Sequence, residues 1–411
     1  MRLYIDPGTG SMLFAILIGI LGAVGYMFKS WMVKLRFLLH GGKRVEAESR
    51  RIPLAIFSDD KRYWSVFRPV CEELDRRGVN VVYLTASPDD PVLTSPYAHI
   101  RGEFIGKGNK AFAKLNFLNA DILLSTTPGL DVYQWKRSKG VKYYVHMLHA
   151  ANEVTGYRMF GIDYYDAILL SGDYQIRDLR ALETLRELPT KEAVKIGIPY
   201  MDAMRRRLEE DAPTPPHERT VLLAPSWGES AILKKYGGRI LEVLLQTGYH
   251  IIVRPHPQSY TAEAEMLKEI QAQYPDSAQL EWNRDTDNYE VLKRADILIS
   301  DFSGVIFDFA LVYDKPVIYA DTEFDKSPYD AWWLDTPYWT FTALPRIGEK
   351  LTPDTLDSLK ELIDACLDDP RYAAGRREVR AETWVHPGEG ARRAADYLVG
   401  KLAELEEGEG K

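Results

Sequence analysis

From residue 52 onward, short apolar runs alternate with amphipathic stretches, twice over and with a break between. In the first half Ile52–Phe57, Val79–Thr85, Ile122–Ser125, Tyr143–Leu148, Ala167–Ser171 and Val194–Ile198 read as buried strands. Helical patterns lie between several of them, for example Tyr63–Arg77 ahead of Gly78. Asp211-Ala-Pro-Thr-Pro-Pro-His217 is stiff and polar, which marks it as a linker. Beyond it Val221–Ala224, His250–Val253, Leu280–Trp282, Asp296–Ile299 and Val317–Ala320 are again strand-like, separated by helical patterns such as Ile240–Thr247. Strands alternating with helices imply parallel sheets, so the expected fold class is α/β, two doubly wound Rossmann-like domains facing across a cleft.

A different pattern precedes them. Met12–Phe28 is an uncharged apolar run, at the short end of the roughly 17 to 25 residues that span a bilayer. Lys29, Lys34, Arg36, Lys43, Arg44, Arg50 and Arg51 follow it, whereas Arg2 alone among side chains precedes it. The positive-inside rule then predicts an N-terminal transmembrane helix, single-pass in the inner or cytoplasmic membrane, with the catalytic domains facing the cytoplasm. A cleaved signal peptide fits less well, because a basic segment without a clear cleavage site follows the run. The expected layout is an anchor and basic segment at 1–50, a first domain at 51–210 and a linker at 211–218. A second domain follows at 219–385, and a helix with an acidic tail ends the chain at 386–411.

Composition narrows the function classes. A formal net charge of −8 argues against a general nucleic-acid binder, so no nucleic-acid partner is expected. Cys71 and Cys366 are the only cysteines and lie far apart, which excludes a disulfide framework or a CxxC zinc site. Asp285-x-Asp287 has the spacing of a metal pair, but such pairs are common in solvated loops, and no metal or cofactor is assigned.

Candidate chemistry gathers where strands end. The segment Asp296–Ala320 runs strand, turn, helix and strand, and Ser303 and Gly304 open its helix, so free N–H groups and a hydroxyl surround whatever binds there. Taken alone, Asp301 reads as a structural helix cap. Upstream, Ile251-Ile-Val-Arg-Pro-His-Pro257 ends a buried strand on Arg254 and holds His256 between two prolines. Arg254 and a donor or protonated His256 suit a phosphate, and a loop histidine capping a helix remains open beside that reading. In Tyr143-Tyr-Val-His-Met-Leu-His149, His146 falls inside the strand and reads as a core histidine. His149 stands at the strand end, where a base facing a cleft would stand.

His149 and its following turn, Gly197-Ile-Pro-Tyr-Met-Asp202, Leu223-Ala-Pro-Ser-Trp227, Arg254-Pro-His-Pro257 and Ser300-Asp-Phe-Ser-Gly-Val-Ile-Phe-Asp308 form an ordered set. With the closing His386-Pro-Gly-Glu-Gly390 turn, the set resembles the CDP-glycerol glycerophosphotransferase family, makers of teichoic-acid-type glycerol phosphate polymers. The resemblance implies a GT-B fold, CDP-glycerol as the nucleotide-activated donor, and a lipid-linked or polymer acceptor at a membrane. It makes His149 the candidate base and His256 the second catalytic residue. Arg254, Asp301, Ser303, Gly304, Ser226 and Trp227 become the candidate substrate-binding residues, with Asp301 orienting its turn and Trp227 either stacking on a cytosine or packing. This chain departs from the family pattern at Ala150, Tyr200 and Gly228, where the family has glycine, arginine and arginine. Those departures keep open a nucleotide-sugar glycosyltransferase for surface polysaccharide, and a noncatalytic membrane scaffold with the same fold.

Overall fold

The computed structural model describes residues 51–285, 287–320 and 323–409. The first sheet holds β1 (Ile52–Ser58), β2 (Val81–Thr85), β3 (Ile100–Phe104), β4 (Asn119–Ser125), β5 (Gly140–Met147), β6 (Ala167–Leu170) and β7 (Glu192–Lys195). They lie in the order β3-β2-β1-β4-β5-β6-β7, and every pair is parallel. The second sheet holds β8 (Thr220–Leu223), β9 (His250–Val253), β10 (Leu280–Trp282), β11 (Ile297–Ser300), β12 (Val317–Ala320) and β13 (Gly348–Leu351). Its order is β10-β9-β8-β11-β12-β13, again wholly parallel. Each strand order reverses once, between β1 and β4 and between β8 and β11. In open parallel sheets the crevice at that reversal, beyond the strand C-termini, is where ligands sit.

The central strands are apolar on both faces because helices cover both faces. Leu54 to Phe57 of β1 and Val221 to Leu223 of β8 are wholly buried. Edge strands lack that pattern: β3 (IRGEF) buries Ile100 alone, and β13 (GEKL) buries only its end residues. Apolar periodicity therefore leaves both out of the expected set. One apolar cluster runs from Leu54 and Ile56 through Met201 to Phe309 and Leu344, so elements of the two sheets share a core.

The expected transmembrane helix at Met12–Phe28, with the anchor at 1–50, lies outside the described residues. Among the described residues no helix is long and apolar enough to cross a membrane, and the longest, Gly390–Glu409, carries two arginines, an aspartate, a lysine and four glutamates. The fold class is accordingly corrected to two parallel-sheet α/β domains, with no membrane-spanning helix among the described residues. The single-pass membrane localisation that rested on that helix is corrected with it.

Polar ties join the two sheets' elements. Tyr200 is buried and its hydroxyl donates to Asp308, whose carboxyl burial pushes up to about 6. Trp339 stacks on Tyr174 with ring centroids 4.2 Å apart, and Glu153 accepts hydrogen bonds from the Thr340 backbone N–H and, at 3.0 Å, its hydroxyl. Arg186 sits between Asp163 (2.7 Å) and Asp330, with its guanidinium 4.9 Å from the Phe160 ring centroid.

The last helix returns to the first sheet, where Arg77 meets Asp396 at 2.8 Å and Lys401 meets Glu192 at 2.7 Å. Asp202 fixes the turn that starts it, accepting from Trp384 Nε1 (2.8 Å), Gly388 N–H (2.6 Å) and Gly390 N–H (2.9 Å). Its own helix, Pro199–Glu210, starts three residues earlier, and Asp202 spends its carboxylate on the turn before another one. Replacing Asp202 with alanine strands these donors and is expected to cost about 2 to 4 kcal/mol. Urea denaturation checks this, and an unchanged midpoint would show the turn to be held by its backbone alone.

Candidate active site

The first wall is built where β1, β4 and β5 end side by side. Ser58 leads into Asp59–Arg62, Ser125 into Thr126 and Thr127, and Met147 into Leu148 and His149. His149 Nδ1 lies 3.0 Å from Thr126 Oγ1, and its ring meets Tyr63 edge-on at 5.1 Å. Burial, and after it the positive charge of Arg62, lowers His149 to about 4, so the ring is neutral at pH 7. With the Nδ1 proton donated to Thr126, Nε2 presents a free lone pair. Asp59 accepts from Thr127 Oγ1 at 3.0 Å, and burial raises its carboxyl above the ordinary range. His146 is wholly buried, with Nε2 2.9 Å from the Tyr157 hydroxyl.

The second wall stands at the ends of β8, β9 and β11. Asp301 is 1% exposed and accepts N–H bonds from Ser226 (3.0 Å), Ile232 (3.0 Å) and Phe302 (2.8 Å), which lock the loop after β8 to the turn after β11. Its carboxylate is occupied by these donors, so it shapes the site and does not face a ligand. Ser226 gives its N–H to Asp301, and its buried hydroxyl also acts on that carboxyl, holding it down against the effect of burial.

His256 accepts the Gln258 N–H on Nδ1 at 3.1 Å. The neutral ring therefore carries its proton on Nε2 and acts as a donor. Burial, then Arg62, lowers His256 to about 4. Trp227 is 43% exposed and tilts over His256 with ring centroids 6.5 Å apart. Arg254 is half-buried and its Nη1 binds Asn283 Oδ1 and the Asp285 carbonyl, both at 2.7 Å, which pins it to the loop after β10.

The two walls meet at Gly304. A side-chain carbon built there would lie 3.5 Å from Asn152 Oδ1 and 3.6 Å from Ala150 Cβ, so the turn after β11 faces the loop that follows His149. Among the described residues the buried Asn152 Oδ1 meets no hydrogen-bond donor. The helix behind Gly304 begins as α (Val305–Phe307) and widens into a π turn (Asp308–Val312), an irregularity frequent at functional sites. The structure thus brings Ser303 and Gly304 against the His149 loop, and places Ser226, Trp227 and His256 on adjoining strand ends.

Sequence reasoning missed Arg62, Thr126 and Asn152. The signal was available for Arg62 and Thr126, which follow strand ends as Arg254 does. Asn152 is defined by a contact across the cleft, which no local pattern shows. The departures at 200 and 228 also become legible. Tyr200 is a buried tie to Asp308, and Gly228 has φ +94° with open space around it and gives its N–H to Glu263 at 2.9 Å.

Two open clefts flank Phe324, whose ring lies 5.5 Å from that of Phe302 in the Asp301–Ser303 turn. One, of about 400 Å³, is largely aromatic (Phe324, Tyr338, Phe341); the other, of about 560 Å³, carries Glu229, Ser230 and Glu323.

Solved structures with this architecture include the wall teichoic acid polymerase TagF, at 18% identity and TM-score 0.56 over 93% of this chain and 98% of that one. Another structure of TagF, with CDPG, aligns at 15% identity and TM-score 0.56 over 93% and 98%. MnaA from S. aureus with UDP aligns at 12% identity and TM-score 0.55 over 86% and 97%. At such identities the likeness carries the fold, which is GT-B-like. A search of curated proteins gave no match. The profile of the CDP-glycerol:poly(glycerophosphate) glycerophosphotransferases matches residues 168–391, more than half of the chain and the whole of the second wall. This chain therefore belongs to that family and is a transferase of the CDP-glycerol glycerophosphotransferase type.

Proposed function

We propose that the enzyme moves glycerol phosphate from CDP-glycerol to a hydroxyl of a glycerol phosphate polymer or a lipid-linked acceptor. The observation that carries this reading is the approach of Gly304 to Ala150 and Asn152, which sets a helix N-terminus and the His149 loop around one space. The donor's pyrophosphate fits against Ser303, the Gly304 N–H, the Ser226 hydroxyl and His256 Nε2–H. The adjoining 560 Å³ cleft has the volume of a small-ligand site, and its three carboxylates, Glu229, Glu323 and Asp325, outnumber its one lysine, Lys235, which disfavours phosphate there. The phosphates therefore belong on the Ser226 and His256 side, with the nucleoside beyond them.

In the reaction, the acceptor oxygen attacks the phosphorus that bears glycerol. The bond from that phosphorus to the bridging oxygen breaks, CMP leaves with the electron pair, and the hydroxyl proton passes to His149 Nε2. The alkoxide never has to form freely, which is the purpose of a positioned base. His256 and the N–H groups at Ser303 and Gly304 balance charge on the phosphoryl oxygens as bonds rearrange.

Titration calorimetry on the full chain tests donor identity. CDP-glycerol is expected to bind with a Kd within about 1 μM to 1 mM, the usual span of substrate affinity, with UDP-sugars far weaker. Binding of a UDP-sugar together with none of CDP-glycerol would overturn the donor assignment and favour a glycosyltransferase.

A further inference from the structure

We propose that Arg62, from the first domain, is the cation that closes over the donor's pyrophosphate and so joins donor binding to the readiness of the base. The proposal rests on the donor reading above, and Arg62 lies outside residues 168–391, the part of the chain that the family profile covers.

Its position follows from the fold. Arg62 lies in the turn Lys61–Tyr63 directly after β1, at the reversal of the first sheet's strand order. Asp60 caps that turn by accepting the Arg62 N–H at 3.0 Å, which fixes where the side chain departs. The next residue, Tyr63, has its ring against His149. The guanidinium carbon lies 5.5 Å from the Tyr63 ring centroid, Nε is 3.4 Å from Asp60 Oδ1, and the side chain is 45% exposed. Among the described residues its Nη groups meet no acceptor, so the flat donor face that suits phosphate is presented to the cleft.

The charge of Arg62 also reaches both histidines. After burial, it is the strongest influence holding His149 and His256 neutral, although one belongs to the first domain and the other to the second. A single cation that bears on both walls stands near the space between them. Arg254, the other arginine near the second wall, spends Nη1 on Asn283 and Asp285. A pyrophosphate diester brings two negative charges, and Arg62 is placed to neutralise them. Once it does, its pull on His149 is cancelled and the ring's proton affinity rises toward that of an effective base.

The test uses the full chain and its Arg62→Ala and Arg62→Lys variants, titrated with CDP-glycerol and with inorganic pyrophosphate. Ring resonances of His149 and His256 are followed against pH in the same proteins. Loss of a charge-assisted phosphate contact is expected to weaken both ligands by about 10- to 100-fold in the alanine variant, with partial recovery in the lysine variant. Both histidines should titrate at higher pH in the alanine variant, a change that a merely structural role would not produce. Unchanged affinity in Arg62→Ala, or histidine titrations that stay where they are, overturns the proposal. If the wild type binds pyrophosphate through Arg62 but ignores CDP-glycerol, the donor reading falls and the Arg62 assignment stands. If it binds neither, both fall.

Discussion

Replacing His149 with alanine is expected to slow CMP release by about 10²- to 10⁴-fold, the usual worth of a positioned general base, while CDP-glycerol binding changes little. His149 stands on the acceptor side of Gly304, and the donor contacts proposed above come from Arg62, Ser226, His256, Ser303 and the Gly304 amide. Loss of the ring therefore removes the proton's destination and leaves the phosphate contacts in place. Single-turnover CMP release measured beside calorimetry separates the two quantities. Turnover that survives in His149→Ala would remove His149 as the base. Conservative replacement of Thr126 by valine is a milder version of the same experiment, since it frees Nδ1 without removing Nε2.

The pH dependence has a definite sign. His146, His149 and His256 are all lowered, to about 3, 4 and 4, and burial is the first cause of each. An unfolded histidine takes up its proton near pH 6.5. Between there and pH 4 these three histidines bind more protons unfolded than folded, so their contribution to stability falls as pH falls through that window, while the buried carboxyls of Asp308 and Glu153, raised to about 6 and about 7, contribute with the opposite sign. Activity should follow the folded values: kcat/KM holds down to about pH 4 and then drops as His149 of the free enzyme protonates. Bound phosphates favour the imidazolium, so the acid limb of kcat should lie at higher pH than that of kcat/KM.

Much of this was written locally in the chain. The central strands announce themselves because burial on both faces demands unbroken apolar runs, as in Ile297 to Ile299 and Ile251 to Val253. The edge strands β3 and β13 do not, since each is paired on one side and buries few side chains. The strand-end positions of His149, Arg254, His256 and Ser303 were legible for the same reason the strands were. What they bond to was not. The pinning of Arg254 by Asn283, the burial of Tyr200 against Asp308 and the approach of Gly304 to Asn152 join residues distant in sequence, and no period or spacing encodes such pairs.

Asp301→Ala is expected to be the most destabilising single change at the site, at about 3 to 5 kcal/mol, because it removes the acceptor from several buried donors at once. The N–H groups of Ser226, Ile232 and Phe302 converge on this one carboxylate, which ties the loop after β8 to the turn after β11 beside the bond from Ser300 Oγ to the Ala224 carbonyl. Asparagine is a poor repair, since its amide offers one acceptor oxygen and points two N–H groups at backbone N–H groups. Burial already raises the Asp301 carboxyl above its ordinary range. Its charge is therefore a cost of folding, and what it returns is geometry: the chain accepts a buried carboxylate to hold Ser226 beside the start of the helix at Ser303. Urea denaturation of Asp301→Ala should show the loss in stability, and calorimetry at a temperature where the variant remains folded should show CDP-glycerol binding lost with it. Ser303→Ala provides the contrast, since it removes a hydroxyl proposed to face the donor and should weaken binding while the denaturation midpoint stays put. If Asp301→Ala instead kept its stability and lost only binding, the carboxylate would be a ligand contact, and the account of it as the brace of the site would be wrong.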